Sequence, residues 1–219
     1  MAHSLSDLFQ HRLLFLGTNN KKKILELEKE LGPRGFDIRV PKDFDDHFDV
    51  DETGSTFIEN ARIKAIAQAK HRGIWAIGED SGLCVPVLGG EPGIYSARFS
   101  GPGATDASNN SLLLERMKQI PELQRDAFYV STIALADPDG VVHIESSGEC
   151  WGRVLFAPRG EGGFGYDPLF EIAEYHQTFA EMGLGVKRAI SHRARSLRSF
   201  LRQLDAAVAS QNRSEICDG

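Results

Sequence analysis

Leu13-Leu14-Phe15-Leu16 is a run of four apolar residues closed by Gly17, and it is followed by Ile24, Leu27 and Leu31 at helical spacing. A short, wholly apolar run suits a strand buried on both faces. The helical pattern stops at Gly32-Pro33, where glycine can cap and proline cannot continue the ladder. Strand, short polar turn, then helix commits the start of the chain to an α/β arrangement, with a polar loop at the strand's carboxyl end.

Further along, Phe36–Val40 reads as a second strand and Asp43–Gly54 as an acidic, irregular stretch. Thr56-Phe57-Ile58-Glu59 has the spacing of a capping box, so a helix is expected from there to about His71, ending at Gly73. Ile74–Ile77 is a short apolar strand, broken at Gly78-Glu79-Asp80-Ser81-Gly82, with Leu83–Leu88 extended again. A Gly/Pro-rich loop, Gly89–Gly103, precedes a helix expected over about Thr105–Gln119. Ala127–Ala136 and Val141–Phe156 flank Asp137-Pro138-Asp139-Gly140, a hairpin turn signal. A glycine-rich loop, Gly160–Pro168, and a short extended piece lead to a last helix, about Ile190–Ala209, with Leu197, Phe200, Leu201, Leu204 and Val208 as its apolar stripe. The chain begins as α/β and becomes hairpin-rich, which predicts a mixed central sheet flanked by helices.

The 219 residues suit one large domain, or two small lobes around a common sheet, and such a chain buries roughly 70% of its surface. With 25 Lys+Arg against 31 Asp+Glu, the net charge is −6, which argues against a general nucleic-acid binder. Positive charge is nonetheless clustered at Lys21-Lys22-Lys23, Lys187-Arg188 and His192–Arg198, a pattern suited to a small polyanion. No apolar run approaches the roughly 18–20 residues of a membrane helix, and Met1–Arg12 lacks the apolar segment of a secretory signal. Three scattered cysteines, Cys84, Cys150 and Cys217, fit a reducing compartment better than a disulfide framework. The expectation is a soluble cytoplasmic protein that spans no membrane.

Two nucleotide motifs fail on inspection. The Gly17 loop places Lys22 where a Walker A motif needs its second glycine. Gly160-Glu161-Gly162-Gly163-Phe164-Gly165 satisfies G-x-G-x-x-G, but it follows a hairpin region and meets Tyr166-Asp167-Pro168 instead of opening a helix. The first strand's exit, Gly17-Thr18-Asn19-Asn20-Lys21-Lys22, still has phosphate-binding chemistry in its helix-start N–H groups, Asn and Lys side chains. Glu79 and Asp80 repel each other unless a cation or donors offset them, and with Asp49, Asp51 and Glu52 upstream they suit hard-oxygen coordination of Mg²⁺. Asp45 and Asp46 are equally acidic, so composition does not choose among these carboxylates. The run Lys187 to Arg193 offers donors for a phosphate or a carbonyl oxygen at the start of a helix. Each of these stretches, taken alone, also reads as an ordinary cap, turn or solvated basic face. No HxxxH or CxxC pair suggests zinc.

Taken together and in order, these segments resemble the inosine triphosphate pyrophosphatase family, the XTP/dITP diphosphatases. The resemblance covers about Leu13–Leu204. It is carried by Asn19-x-x-Lys22, by Glu52-Thr53-Gly54-x-Thr56-Phe57-x-Glu59-Asn60-Ala61 and by Glu79-Asp80-Ser81-Gly82-Leu83. Gly90-x-Pro92-Gly93-x-Tyr95-Ser96-Ala97-Arg98, Gly163–Pro168, Thr178-x-Ala180-Glu181 and Lys187 through Ser191-His192-Arg193 complete it. Glu79 stands where Asp is common in bacterial members.

The resemblance implies a two-lobed α/β fold around a substrate cleft, in one domain over 12–209, with a flexible N-terminus over 1–11 and a polar tail over 210–219. It further implies a Mg²⁺-dependent homodimer that cleaves ITP, dITP or XTP between the α and β phosphates. Asp80 would be general base and metal ligand, with Glu79 and either Asp51 or Glu52 as further ligands; the family position points to Asp51. Gly17, Thr18, Asn19, Asn20, Lys21, Lys22 and Lys187 would hold the triphosphate and Ser81 would touch the substrate. Phe164, Gly165, Tyr166, Asp167, His192 and Arg193 would line the base pocket. Donors there would satisfy the O6 of hypoxanthine or xanthine and oppose the amino group of adenine. Competing readings are a pyrophosphatase with another base preference and a nucleotide sensor without turnover.

Overall fold

The computed structural model describes residues 3–46 and 48–217, except for the side chains of Lys22, Leu184, Val208, Ser210 and residues 211–217. Among them are strands β1 (Leu13–Leu16), β2 (Asp37–Arg39), β3 (Trp75–Cys84), β4 (Asp126–Ala136), β5 (Val142–Val154), β6 (Phe170–Ile172) and β7 (Gln177–Thr178). They form one seven-stranded sheet in the order β2-β1-β3-β4-β5-β6-β7. β1 pairs in parallel with β2 and with β3, whereas β6 pairs antiparallel with β5 and with β7. The sheet is therefore mixed, as predicted. The helices are α1 (Leu5–His11), α2 (Lys21–Leu31), α3 (Phe57–Arg72), α4 (Asp106–Arg116), α5 (Leu184–Ile190) and α6 (His192–Cys217). No helix among the described residues is long and apolar enough to cross a membrane.

The chain divides into two compact units. The first comprises the residues up to Asp80, Thr132–Ser147 and those from Ser196 on; the second comprises Ser81–Ser131 and Gly148–Arg195. The first has a core of Leu14, Leu16, Leu27, Leu31, Trp75, Ile77, Ile133, Leu135 and the α6 residues Leu197, Phe200, Leu201 and Leu204. Those four α6 residues are members of the predicted stripe; Val208, the fifth, lies outside the described side chains. In the second unit Leu83, Val85, Leu113, Met117, Tyr129, Phe170 and Phe179 are packed together.

α3 decides where the chemistry sits. Its N-terminus carries the predicted capping box, with Thr56 Oγ1 accepting from the Glu59 N–H, and it ends on Gly73 in the left-handed conformation. Ala61, Ala65 and Ala69 lie on one face and pack with Phe15, Ala76, Ala134 and Ala136. Small side chains on both surfaces let the helix approach the sheet closely. At Gly78 the approach is backbone to backbone: an added Cβ would lie 2.2 Å from the Ala61 carbonyl oxygen and 2.5 Å from the Ala65 nitrogen.

Four expectations are corrected. β3 does not break at Gly78; it runs through Glu79 and Asp80 to Cys84, because Gly78 serves close packing and not a turn. The N-terminal stretch 3–11 is not loose: it holds α1, whose Leu8 is buried in the first core. Leu5, Leu8 and Phe9 give that helix an apolar side to dock. The stretch ahead of the last helix is not extended throughout: it holds α5, which Ser191 ends with its extended backbone while its Oγ accepts from the Ala194 N–H to start α6. Finally, α6 continues to Cys217, past the predicted end at Ala209, since no Gly or Pro interrupts Ser210–Cys217.

Candidate functional site

Two polar clusters are built, one in each unit. In the first, Asp80 lies near the middle of the sheet on β3 and is buried. Lys64, one turn along α3 from Asn60, brings its ammonium to 2.9 Å from Asp80 Oδ1 and 2.9 Å from Glu52 Oε1, and donates to the Glu79 carbonyl at 3.1 Å. Asn60 Nδ2 donates to Asp80 Oδ2 at 3.3 Å, while Asn60 Oδ1 accepts from the Gly54 N–H at 2.8 Å. Asn60 thus ties the acidic loop and the catalytic candidate to one helical position. Lys23, from α2, lies 3.6 Å from Glu79 Oε2. Burial is the largest influence on Asp80 and pushes its carboxyl upward; Lys64 pulls the other way, and Glu52 adds to the rise.

The β1 exit holds its predicted shape. The Gly17 N–H donates to the Ile77 carbonyl, the Asn20 N–H to Thr18 Oγ1, and the Lys23 N–H to Asn20 Oδ1, an N-cap for α2. Asn19, Asn20 and Lys21 are exposed at this helix start, and the side chain of Lys22 lies outside the described residues.

In the second cluster the glycine-rich loop is wrapped around Asp167. Asp167 Oδ2 accepts from the Phe164 N–H at 2.8 Å and pairs with the buried Lys187 ammonium. Gly163, at φ +77°, passes so close that a Cβ would meet this carboxylate at 2.0 Å. The Lys187 ammonium also sits 4.7 Å from the Phe164 ring centre and 5.1 Å from that of Phe179. His192 and Arg193, both buried at the start of α6, complete the group. His192 stacks on Tyr129 at 4.7 Å, and Arg193 reaches Ser81 Oγ at 3.4 Å and the face of Phe164 at 6.0 Å.

The structure thus gathers Glu52, Glu79 and Asp80 in one cluster, and Ser81, Phe164, Asp167, Lys187, His192 and Arg193 in the other. Asp51, favoured over Glu52 by family position, is exposed, while Glu52 takes the inner place on Lys64. Tyr166 and Gly165, expected at the base pocket, each make a contact that anchors the loop. The Tyr166 hydroxyl donates to the Ser96 carbonyl at 2.8 Å, and Gly165 accepts from Asn110 and donates to Asp106, so both fasten the loop to its surroundings. Sequence reasoning gave Lys23 and Asn60 no role of their own, although both fall in stretches it singled out, and it missed Lys64 and Tyr129. For two of them a signal existed: Asn60, Lys64 and Gln68 recur every four residues on a capped helix, a polar stripe beside the alanine stripe. Tyr129 gave none, being one aromatic in an apolar strand.

The oxygen set around Lys64 suits a hard divalent cation. Among the described residues no group of three or more His, Cys, Asp or Glu side chains could by itself hold a metal. Mg²⁺ does not need one, since it is bound through one or two carboxylates, waters and substrate phosphates.

A sequence model of the Ham1 family matches residues 14–203. The dITP/XTP pyrophosphatase of Rhodopirellula baltica is 46% identical over 201 residues, covering 92% of this chain and 97% of that protein. The dITP/XTP pyrophosphatase of Thermus thermophilus is 49% identical over 187 residues, 85% of this chain and 88% of that protein. The solved structure of the Staphylococcus aureus Ham1 protein superposes with a TM-score of 0.80 at 34% identity, covering 91% of this chain and 99% of that one.

Proposed function

The chain belongs to the Ham1 family, and on that premise we propose that it is a nucleoside-triphosphate pyrophosphatase acting on dITP, ITP and XTP, converting each to its monophosphate and pyrophosphate. The observation that carries the reading is the buried Asp80 carboxylate sharing one ammonium with Glu52. A site that only binds anions gains nothing from carboxylates beside phosphate; a hydrolase needs a proton acceptor and a cation holder there.

Glu52, Glu79 and Asp80 are the residues that would hold Mg²⁺. When bound, that ion supplies charge neutralisation at the phosphates and makes water more acidic. Asp80 takes the proton of the attacking water, and burial, which raises its carboxyl, makes it the better acceptor. The water oxygen bonds to the α-phosphorus as the α–β anhydride breaks, and the electron pair leaves with pyrophosphate. Lys64 and Lys23, with the donors of the β1 exit from Gly17 to Lys22, offset the charge that accumulates on that leaving group.

The base is assigned to the second cluster, and with it Lys187, which the family resemblance gives to the triphosphate but which pairs with Asp167 beside Phe164. Lys187 and Arg193 are buried donors beside the aromatic face of Phe164, and His192 is buried against Tyr129. An O6 acceptor pairs with such donors, whereas adenine's amino group leaves them unpaired, a mismatch that discriminates by about 10⁴. Asp167 holds Lys187 in place.

The same reading makes the protein a cytoplasmic homodimer that takes nucleotides and not nucleic acid. Cys84 and Cys150 are buried free thiols that burial pushes up to about 11, which keeps them unreactive. Sedimentation equilibrium tests the dimer.

The decisive experiment measures pyrophosphate release from dITP, XTP, GTP, ATP and dTTP with Mg²⁺, for wild type and Asp80→Asn. Release from dITP and XTP is expected to exceed that from ATP by about 10³ or more. Asp80→Asn is expected to lose about 10²–10⁴ in kcat. Equal rates on all five bases would overturn the substrate assignment, and an unchanged rate in Asp80→Asn would remove it as base.

A further inference from the structure

The acidic segment that supplies Glu52 lies along α3 and alternates in burial. Phe48, Val50, Glu52 and Gly54 are half-buried, while Asp49, Asp51 and Thr53 are exposed. A strict period of two means that the segment has an inner and an outer side, and that a slip of one residue exchanges them. Glu52 and Asp51 are neighbours on opposite sides, so register alone determines which carboxylate meets Lys64 and Asp80.

The contacts run antiparallel to α3. The Gly54 N–H meets Asn60, Glu52 meets Lys64, and the Phe48 carbonyl accepts from Gln68 Nε2 at 3.3 Å. At the far end the Phe48 ring stacks on His71, with centres 3.9 Å apart and planes 7° from parallel. His71 Nε2 lies 2.5 Å from Asp46 Oδ2, and the other Asp46 oxygen accepts from Arg72. The Arg72 guanidinium in turn lies 4.2 Å from the centre of the Phe44 ring. Positions 60, 64, 68 and 71–72 form one stripe of the helix, and four points of the segment are read against it in order.

We propose that His71, held by Asp46 and stacked on Phe48, is a positioning residue that fixes the register of Phe48–Gly54 and so selects Glu52 over Asp51 as the carboxylate facing Asp80. This rests on the reading that Glu52 helps hold the divalent cation. Near Gly54 the register is also set by Asn60, but that contact lies beside the hinge where the segment turns into the helix. The His71 end is the one that resists a slip, because the ring stack on Phe48 and the hydrogen bond to Asp46 cannot both be kept after a shift of one residue, about 3.3 Å along the segment.

The test uses the full chain and two variants, His71→Ala and His71→Phe; the residue is exposed, so neither disturbs the core. Hydrogen exchange followed by mass spectrometry reads segment 48–54, and Mn²⁺ binding to the protein without nucleotide is read by electron paramagnetic resonance. In His71→Ala, exchange over 48–54 is expected to rise about tenfold while that of β1 stays at the wild-type rate. The Mn²⁺ dissociation constant is expected to rise about fivefold. His71→Phe keeps a ring on Phe48 and is expected to recover part of both, a rescue that a merely stabilising residue would not produce in metal affinity. Exchange at the wild-type rate in His71→Ala would overturn the proposal. So would faster exchange with Mn²⁺ affinity intact, which leaves the metal reading standing. Wild-type protein that takes up no Mn²⁺ would refute the metal reading itself and this proposal with it.

Discussion

Replacing Lys64 by Met keeps an unbranched side chain of similar reach and removes one charge. The ammonium lies 2.9 Å from an oxygen of Glu52 and 2.9 Å from one of Asp80, so those two oxygens are at most about 5.8 Å apart. Two full negative charges at about that distance, in a surrounding of effective dielectric about 20, repel by about 3 kcal/mol. The side chains of Asp80 and Lys64 are 9% and 13% exposed and gain little screening, but Glu52 at 27% can swing outward. A net loss of about 2–3 kcal/mol follows at neutral pH, in line with removing one partner of a buried pair. For a chain of this length that lowers Tm by about 4–12 °C. The sign of the pH dependence is fixed by Asp80, whose carboxyl burial already pushes up and Lys64 pulls down. Without Lys64 it rises further, so the variant takes up a proton as pH falls through that value and the repulsion vanishes. The deficit is therefore full at neutral pH and shrinks toward about pH 4. Mg²⁺ should replace the lost charge, and at a hundred times its Kd it contributes about 2.7 kcal/mol. Thermal melts of both proteins, at two pH values and with and without Mg²⁺, decide the matter. A variant as stable as wild type at neutral pH, or one whose deficit ignores both pH and Mg²⁺, would refute the charge argument.

Gly78→Ala is expected to destabilise the first unit by about 3 kcal/mol, since its methyl group would lie 2.2 Å from the Ala61 carbonyl oxygen and neither backbone can yield without moving α3. Urea unfolding checks it, and activity should fall with stability because Asn60 and Lys64 ride on that helix. Burial pushes Glu171 up, but the guanidiniums of Arg153 and Arg159 outweigh it, so its carboxyl is held below the ordinary value of 4.5. Its stabilising share is present above that value and is lost as pH falls through the depressed one, so Glu171→Gln should narrow the Tm gap to wild type only below about pH 4.

Much of this was readable in one dimension because it is local. The β1 run, the α2 stop at Gly32-Pro33, the capping box at Thr56 and the Gly73 terminus depend on neighbours within four residues. The acidic pair Glu79-Asp80 could be singled out because adjacent carboxylates in an apolar setting have a cost that demands a partner. What misled was also local. Glycine and serine around Asp80 carry turn propensity, and propensity yields to a helix packed on the strand. The N-terminal segment, read as loose, gains its order from the burial of Leu8, a contact that no spacing rule announces.

The sequence by itself determined the alternation of strands and helices, the acidic and basic stretches and the order in which they occur, since each follows from side-chain periodicity and capping along the chain. Only the tertiary structure decided that Lys64 is the partner of Asp80, that Glu52 and not Asp51 is turned inward, and that Lys187 is held by Asp167. Those choices depend on register and on how closely one backbone can approach another. Register is a relation between segments far apart in the chain, and it is fixed only once alanine, glycine and the His71 stack have set the distances.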